Sequence, residues 1–252
     1  LPKPLLKFNN IEFITYLLNF YKKYNFNKIY LLAGYKSKHF KKFNNKVLNG
    51  IKVEVIIEKK LLGTAGALRQ LKTKKIKNFL LINGDSFFNY KLEKFLKLKS
   101  NLVKMMLLKN NNYETNNKLS SLSINKKKII NTKNDIKYMN SGVYFLKKEF
   151  LDKISLKKTS LEENILPPLI NEGKVFGNYI NSDFLDIGTK KNFMKGAKFL
   201  SKEFKKPAVF LDRDGVINFD TGYVHEFKNF KWMRGSIKGF KFINQKDYYL
   251  FI

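Results

Sequence analysis

Carboxylates at the ends of apolar runs are the residues of this chain whose placement suits chemistry. Asp85 closes the run LLINGD (80–85) and Asp186 closes FLD (184–186). A side chain just beyond a parallel strand of an α/β sheet stands where ligands bind. Such a pair could share a cation, although spacing alone does not bring them together. The other reading of each is a helix N-cap. Asp212 and Asp214 follow the run AVFL (208–211) in the order Asp-Arg-Asp-Gly. Two carboxylates two residues apart at a strand end put one in line for nucleophilic attack and leave the other for proton transfer. The plain alternative is a solvated acidic turn. The stretch LLGTAGAL (61–68) adds Gly63 and Gly66. These leave the backbone bare ahead of a helix, where amides suit a base or a phosphate. Taken alone, a plain turn is the more ordinary explanation of these glycines.

Composition narrows the chemistry. The chain has no cysteine, and His39 and His225 are its only histidines. Disulfides, thiolate metal sites and histidine-rich metal sites are excluded. A metal would sit on carboxylates, which favours a hard ion such as magnesium, Mg2+. The net charge is +30, yet Arg69, Arg213 and Arg234 are the only arginines. The lysines are spread over every segment, which argues against a nucleic-acid partner. A basic surface still attracts phosphorylated substrates. No apolar run is long enough to insert into a membrane. The opening LPKPLLKF lacks the blocks of a signal peptide, so a cytoplasmic location is expected. The missing initiator Met and the final YYLFI make both ends read as cut.

The elements that must position these residues are those of an α/β fold. Residues 28–33, 52–57 and 79–83 read as buried parallel strands. Residues 10–24, with Ile11, Ile14, Leu17, Leu18 and Tyr21 at helical spacing, read as a helix. So do 64–72 and 91–99. Strands follow at 102–108, 119–124 and 142–146, and helices at 147–153 and 161–171, the latter capped by Ser160. Short strands at 174–180 and 183–187 lead to a helix at 189–203. The polar KEFKKP (202–207) separates this domain, 1–203, from a second that begins at 206 and runs to 252.

Taken in order, LPKPLL, GTAGAL, NGDS, NSGVYFL, SLEENILPPLI and DIGT resemble the sugar nucleotidyltransferases. The likeness spans residues 1–200 and is strongest to the heptose- and mannose-1-phosphate guanylyltransferases. The resemblance implies a Rossmann-like, glycosyltransferase-A-like mixed sheet flanked by helices. It implies an NTP and a sugar 1-phosphate as substrates, GTP and heptose 1-phosphate foremost, with mannose or glucose 1-phosphate, or a non-catalytic nucleotide-sugar binding module, as alternatives. By position, Asp85 and Asp186 match magnesium ligands and Lys3 a catalytic lysine on phosphate. Gly63, Thr64, Gly66, Gly84 and Asp85 match nucleotide contacts, and Asn140, Gly142 and Glu162 match sugar contacts. Two departures stand out. The family's Gly-rich loop with its arginine would precede LPKP, so the chain as given is expected to be a poor enzyme. The family's Glu-Lys pair ahead of NSGVYFL is Thr132-Lys133 here.

Residues 206–252 resemble the start of a haloacid dehalogenase-type phosphatase, specifically a heptose-1,7-bisphosphate 7-phosphatase, through DRDGVIN, GYV and Gly235. That likeness implies an incomplete Rossmannoid domain acting on a sugar bisphosphate. Asp212 would be its nucleophile, Asp214 its general acid/base, and both would lie at a magnesium site. The later motifs of that family would fall beyond Ile252. The two activities would serve consecutive steps toward an activated heptose. Homo-oligomerisation is left open. Within the second segment, 248–252 should pair beside 208–211, and the segment should either be mobile or rest on the first domain through residues such as Phe227, Phe230 and Trp232.

Overall fold

The computed structural model describes residues 1–58, 60–97, 102–109, 122–125, 128–131, 138–155, 157–246 and 248–252. They form two compact units, Leu1–Leu200 and Ser201–Ile252.

In the first unit, Lys28–Ala33 and Ile51–Ile57 pair in parallel, from Lys28 opposite Lys52 to Ala33 opposite Ile57. Their side chains alternate between two cores. Ile29, Leu31, Ala33, Val53 and Val55 meet Leu5, Ile14, Leu18, Phe40 and Phe43 on one face. Tyr30, Leu32 and Ile56 pack toward the larger core on the other. Burial on both faces is what near-continuous apolar runs predict for parallel strands. The hairpin to Val47–Leu48 turns on Asn49 and Gly50, with φ of 49° and 80°. Asn-Gly is the pair that tolerates positive φ at both turn positions.

The helix Phe13–Tyr21 buries Phe13, Ile14, Tyr16, Leu17, Leu18, Phe20 and Tyr21. It starts later than the expected residue 10. Asn9 and Asn10 take φ of 49° and 63° and turn the chain back, so that Ile11–Glu12 pairs with Lys7–Phe8. Ile11, expected on the buried helical face, is 43% exposed in this ribbon.

A second, six-stranded sheet has the order Asn78–Ile82, Tyr138–Lys147, Val103–Lys109, Val175–Ile180, Lys128–Asn131, Leu122–Asn125. Val175–Ile180 runs parallel to Val103–Lys109, and the other neighbours are antiparallel, which makes the sheet mixed. The expectation that 79–83 is a parallel strand is corrected here. Among the described residues Asn78–Ile82 ends the sheet order, bonded antiparallel to one edge of Tyr138–Lys147, whose other edge carries Val103–Lys109. Residues 119–121 of the expected strand 119–124 lie outside the described residues.

The segment expected as a helix at 64–72 is an α-helix, Gly63–Leu68, continued by the 3-10 turn Arg69–Thr73. The segment 161–171 opens with a π-helical turn, Leu161–Ile165, before the α-helix Leu166–Asn171. Ser160 caps it as expected, its Oγ accepting the Glu163 N–H at 3.2 Å.

In the second unit, Ala208–Phe210 and Tyr249–Phe251 pair in parallel, with the helix Ser236–Gln245 between them in sequence. A crossover of this length is what a parallel pair needs. Ile217 and Val224 are its only buried apolar side chains among the described residues, whereas Phe210, Tyr223 and Phe227 are strongly exposed. Trp232 packs edge-on against Phe230 and Phe240 within the unit, at centroid distances of 4.9 and 6.1 Å.

Candidate active site

A cavity of about 570 Å³ opens in the first unit, and Lys3, Thr64, Asp85, Glu162 and Asp186 all line it. A smaller depression of about 400 Å³ beside Lys7, Glu12 and Lys42 carries an ion pair but none of the motifs.

The acidic pair is built by the backbone. Past Asn78–Ile82 the chain forms a short strand, Ser86–Phe88, antiparallel to Phe184–Asp186, with Asp186 opposite Ser86. The Ile187 amide donates to the Asp85 carbonyl at 3.0 Å. Asp85 and Asp186 are therefore neighbours on one ladder, and a strand, not a helix, follows Asp85. Asp186 is buried, and its Oδ1 accepts the Gly188 N–H at 2.7 Å, while Thr189 caps the helix Lys190–Glu203. Burial raises the Asp85 carboxyl above its ordinary range, the charge of Asp186 pushes the same way, and Lys3 opposes both.

Lys3 Nζ stands 3.4 Å from Asp85 Oδ2. A 3-10 turn over Lys3–Leu5 presents it, anchored by the buried Leu5 side chain. Pro4 closes over Gly84, where a Cβ would sit 3.1 Å from the proline Cγ.

The glycine loop is held by its own backbone and that of Thr159. Gly63 has φ of +80°, and a Cβ there would stand 2.6 Å from the Thr159 carbonyl oxygen. The loop and Thr159 are laced together, Ala65 N–H to Thr159 O at 3.1 Å and Thr159 N–H to Leu62 O at 2.8 Å. The Ala65 amide is thus already engaged. Gly66 is buried, its missing Cβ accommodating Leu62. Gly63 and Gly66 shape the loop, and Thr64 is its member at the cavity. Thr64 Oγ1 accepts the Leu161 N–H at 2.8 Å and donates to Glu162 Oε2 at 3.0 Å.

Asn140 and Gly142 stand apart from the residues that line the cavity. Neither lines the cavity, and Asn140 is fully buried. The pairing of Tyr138–Lys147 with Val103–Lys109 changes register between Asn140 and Tyr144, and Gly142 takes φ of +76°. This bulge turns the Asn140 carboxamide onto the Tyr144 hydroxyl and its Oδ1 onto the Gly142 N–H at 3.0 Å. Gly142 O in turn accepts the Asn83 N–H at 2.9 Å. The pair Thr132-Lys133 lies outside the described residues.

Tyr35, Asn83 and Ser160 line the cavity and were not among the expected residues. Tyr35 lies two residues past Lys28–Ala33, so the strand-end rule that picked Asp85 would also have found it. Two carboxylates suit a hard cation. Among the described residues no group of three or more acidic or histidine side chains gathers, so phosphate and water oxygens would complete its shell.

In the second unit Asp212 Oδ1 accepts the Arg213 N–H at 2.8 Å. Asp214 is gripped by Arg213 Nε and Nη2 at 2.9 and 2.8 Å and by Asn218 Nδ2 at 2.9 Å. Arg213 foremost, then Asn218, holds the Asp214 carboxyl below its ordinary range. A general acid needs the opposite shift.

The mixed sheet and the cavity at its strand ends define an α/β nucleotidyltransferase fold. HddC from Yersinia pseudotuberculosis, solved in complex with GMP-PN, superposes with a TM-score of 0.64 at 24% identity, over 81% of this chain and 91% of that one. The inositol-1-phosphate CTP transferase from T. maritima superposes at 0.67 with 21% identity, over 80% and 87%. Residues 1–203 match the family model described as nucleotidyl transferase, and the chain belongs to that family. Among relatives, a D-glycero-alpha-D-manno-heptose 1-phosphate guanylyltransferase from Campylobacter jejuni is 28% identical over 77% of this chain and 88% of its own length. The mannose-1-phosphate guanylyltransferase catalytic subunit beta of Xenopus tropicalis is 27% identical over 77% of this chain and 58% of its own.

Proposed function

We propose that the first unit transfers a guanylyl group from GTP to a sugar 1-phosphate, D-glycero-D-manno-heptose 1-phosphate foremost and mannose 1-phosphate next, with release of pyrophosphate. The observation that carries this reading is the ladder that sets Asp85 beside Asp186, with Lys3 3.4 Å from Asp85 in the same cavity. The names of the guanylyltransferase relatives supply the base and the sugar.

A sugar-phosphate oxygen attacks the α-phosphorus. The new P–O bond forms as the α–β anhydride bond breaks, and no covalent enzyme intermediate is needed. Catalysis is then positioning and charge neutralisation. Lys3 offsets negative charge on the phosphates, Thr64 faces the nucleotide, and Glu162 accepts from sugar hydroxyls. Asp85 and Asp186 would hold magnesium, which supplies charge neutralisation at the phosphates. The test is pyrophosphate release by the longest native form of the protein, over a matrix of NTPs and sugar 1-phosphates. GTP with a heptose or mannose 1-phosphate should give the highest rate, and no release with any pair refutes the reading.

For the second unit the proposal is phosphate release from a sugar bisphosphate, with Asp212 as nucleophile and Asp214 as acid/base near a second magnesium. The placement of Asp212 and Asp214 just past the first strand of a strand–helix–strand element supports it.

A further inference from the structure

A buried tyrosine backs the Glu162 carboxylate that lines the cavity. Tyr144 is fully buried, on the bulged strand Tyr138–Lys147. Its hydroxyl accepts from Asn140 Nδ2 and donates to Glu162 Oε1 at 3.3 Å. The other Glu162 oxygen accepts from Thr64 at 3.0 Å. Glu162 therefore spends one acceptor site per oxygen inside the protein, and a carboxylate oxygen has about two such sites. The remaining pair belongs to a side chain that lines the cavity.

The two internal bonds differ in what they fix. Thr64 sits on a loop pinned independently, by the Thr159 backbone on both sides and by the Leu161 amide. Tyr144 is rigid because Asn140 orients its hydroxyl and Gly142 shapes the bulge that allows this. With both in place the carboxylate plane of Glu162 is set. Without the Tyr144 hydroxyl, Glu162 keeps only the Thr64 bond and can rotate about it.

We infer that Tyr144 is a positioning residue that orients Glu162 for the hydroxyl groups of the sugar 1-phosphate and so tunes selection on the sugar side. This rests on the guanylyltransferase reading above. Loss of the Tyr144 hydroxyl should loosen the sugar and spare the nucleotide, because Gly63–Ala65 stays laced to Thr159.

The experiment compares wild type, Tyr144→Phe, Glu162→Ala and the double variant, all in the longest native form, with GTP and mannose or heptose 1-phosphate. Tyr144→Phe should raise KM for the sugar 1-phosphate by about tenfold, the scale of one hydrogen bond to a charged group, with KM for GTP within about twofold. In the Glu162→Ala background the same change should add nothing, since Tyr144 acts through Glu162. Equal effects on both KM values, or multiplicative effects in the double variant, overturn the role. Wild-type turnover judges the nucleotidyltransfer reading by itself. If no form turns over, that reading falls, and the same four proteins are compared by thermal unfolding. Additive Tm changes there overturn the Tyr144–Glu162 coupling, and non-additive changes uphold it. Should Tyr144→Phe fail to fold, Asn140→Ser, which frees the Tyr144 hydroxyl while keeping the ring, takes its place with the same outcomes.

Discussion

The Lys3 ammonium lies 3.4 Å from the Asp85 carboxylate, joining the first turn of the chain to a strand end 82 residues away. Both groups are partly exposed, so the contact alone contributes little to stability. Its value is local: it places a cation beside two carboxylates that repel each other. Asp85→Ala should lower pyrophosphate release by roughly 10²-fold, the scale for losing one preorganised electrostatic element. Lys3→Met should lower it too, with the magnesium dependence unchanged. Initial rates across a magnesium titration check both, and near-normal turnover of Asp85→Ala would remove Asp85 from the machinery.

Gly63→Ala should damage the nucleotide side. The added methyl meets the Thr159 carbonyl oxygen at 2.6 Å, and φ of +80° is costly for any residue with a Cβ. Strain of this kind costs about 1–3 kcal/mol. The expected result is a raised KM for GTP and a lower Tm, with KM for the sugar phosphate changed less. An unchanged KM for GTP would separate the loop from the nucleotide.

The buried Lys104 makes stability depend on pH. Its ammonium donates to the Phe95 carbonyl at 2.6 Å and lies 5.2 and 5.3 Å from the Phe95 and Phe145 ring centroids. Burial lowers its pKa below the ordinary lysine value. Between the folded value and the unfolded one of about 10.4, the unfolded chain binds more protons, so stability rises with pH across that interval. Lys104→Met should remove this rise. Thermal unfolding at neutral and alkaline pH reads it, and an equal alkaline gain in the variant would rule Lys104 out.

Much of this site was legible because its residues end apolar runs. LLINGD and FLD locate Asp85 and Asp186, since a buried strand has to stop and polar residues mark the place. What the sequence could not convey was that Ser86–Phe88 and Phe184–Asp186 form one ladder, because pairing between distant segments leaves no local signature. The same gap explains Asn78–Ile82, whose apolar run is compatible with either strand direction. Asn140 and Gly142 match sugar contacts by resemblance, whereas the bulge that holds them beside Tyr144 depends on register with Val103–Lys109, which leaves no local signal. Ile11 was misplaced because Asn9 and Asn10 in the left-handed region read as ordinary polar residues.

The last prediction concerns the second unit. If Asp214 is to give a proton to a leaving sugar oxygen, it must be protonated when the bond breaks. Arg213 and Asn218 favour its ionised form and hold its pKa down. That suits a base and opposes the acid step. Arg213→Gln removes the largest contribution and should move the Asp214 pKa upward, which shifts the alkaline limb of phosphate release, where the protonated acid is lost, toward higher pH. Asp212→Asn should abolish release entirely, since an amide cannot form the aspartyl phosphate. Both are read as phosphate liberated from a sugar bisphosphate by the longest native form across a pH series. Full release by Asp212→Asn would end the phosphatase reading. An alkaline limb unmoved by Arg213→Gln would show instead that Arg213 does not control the proton on Asp214.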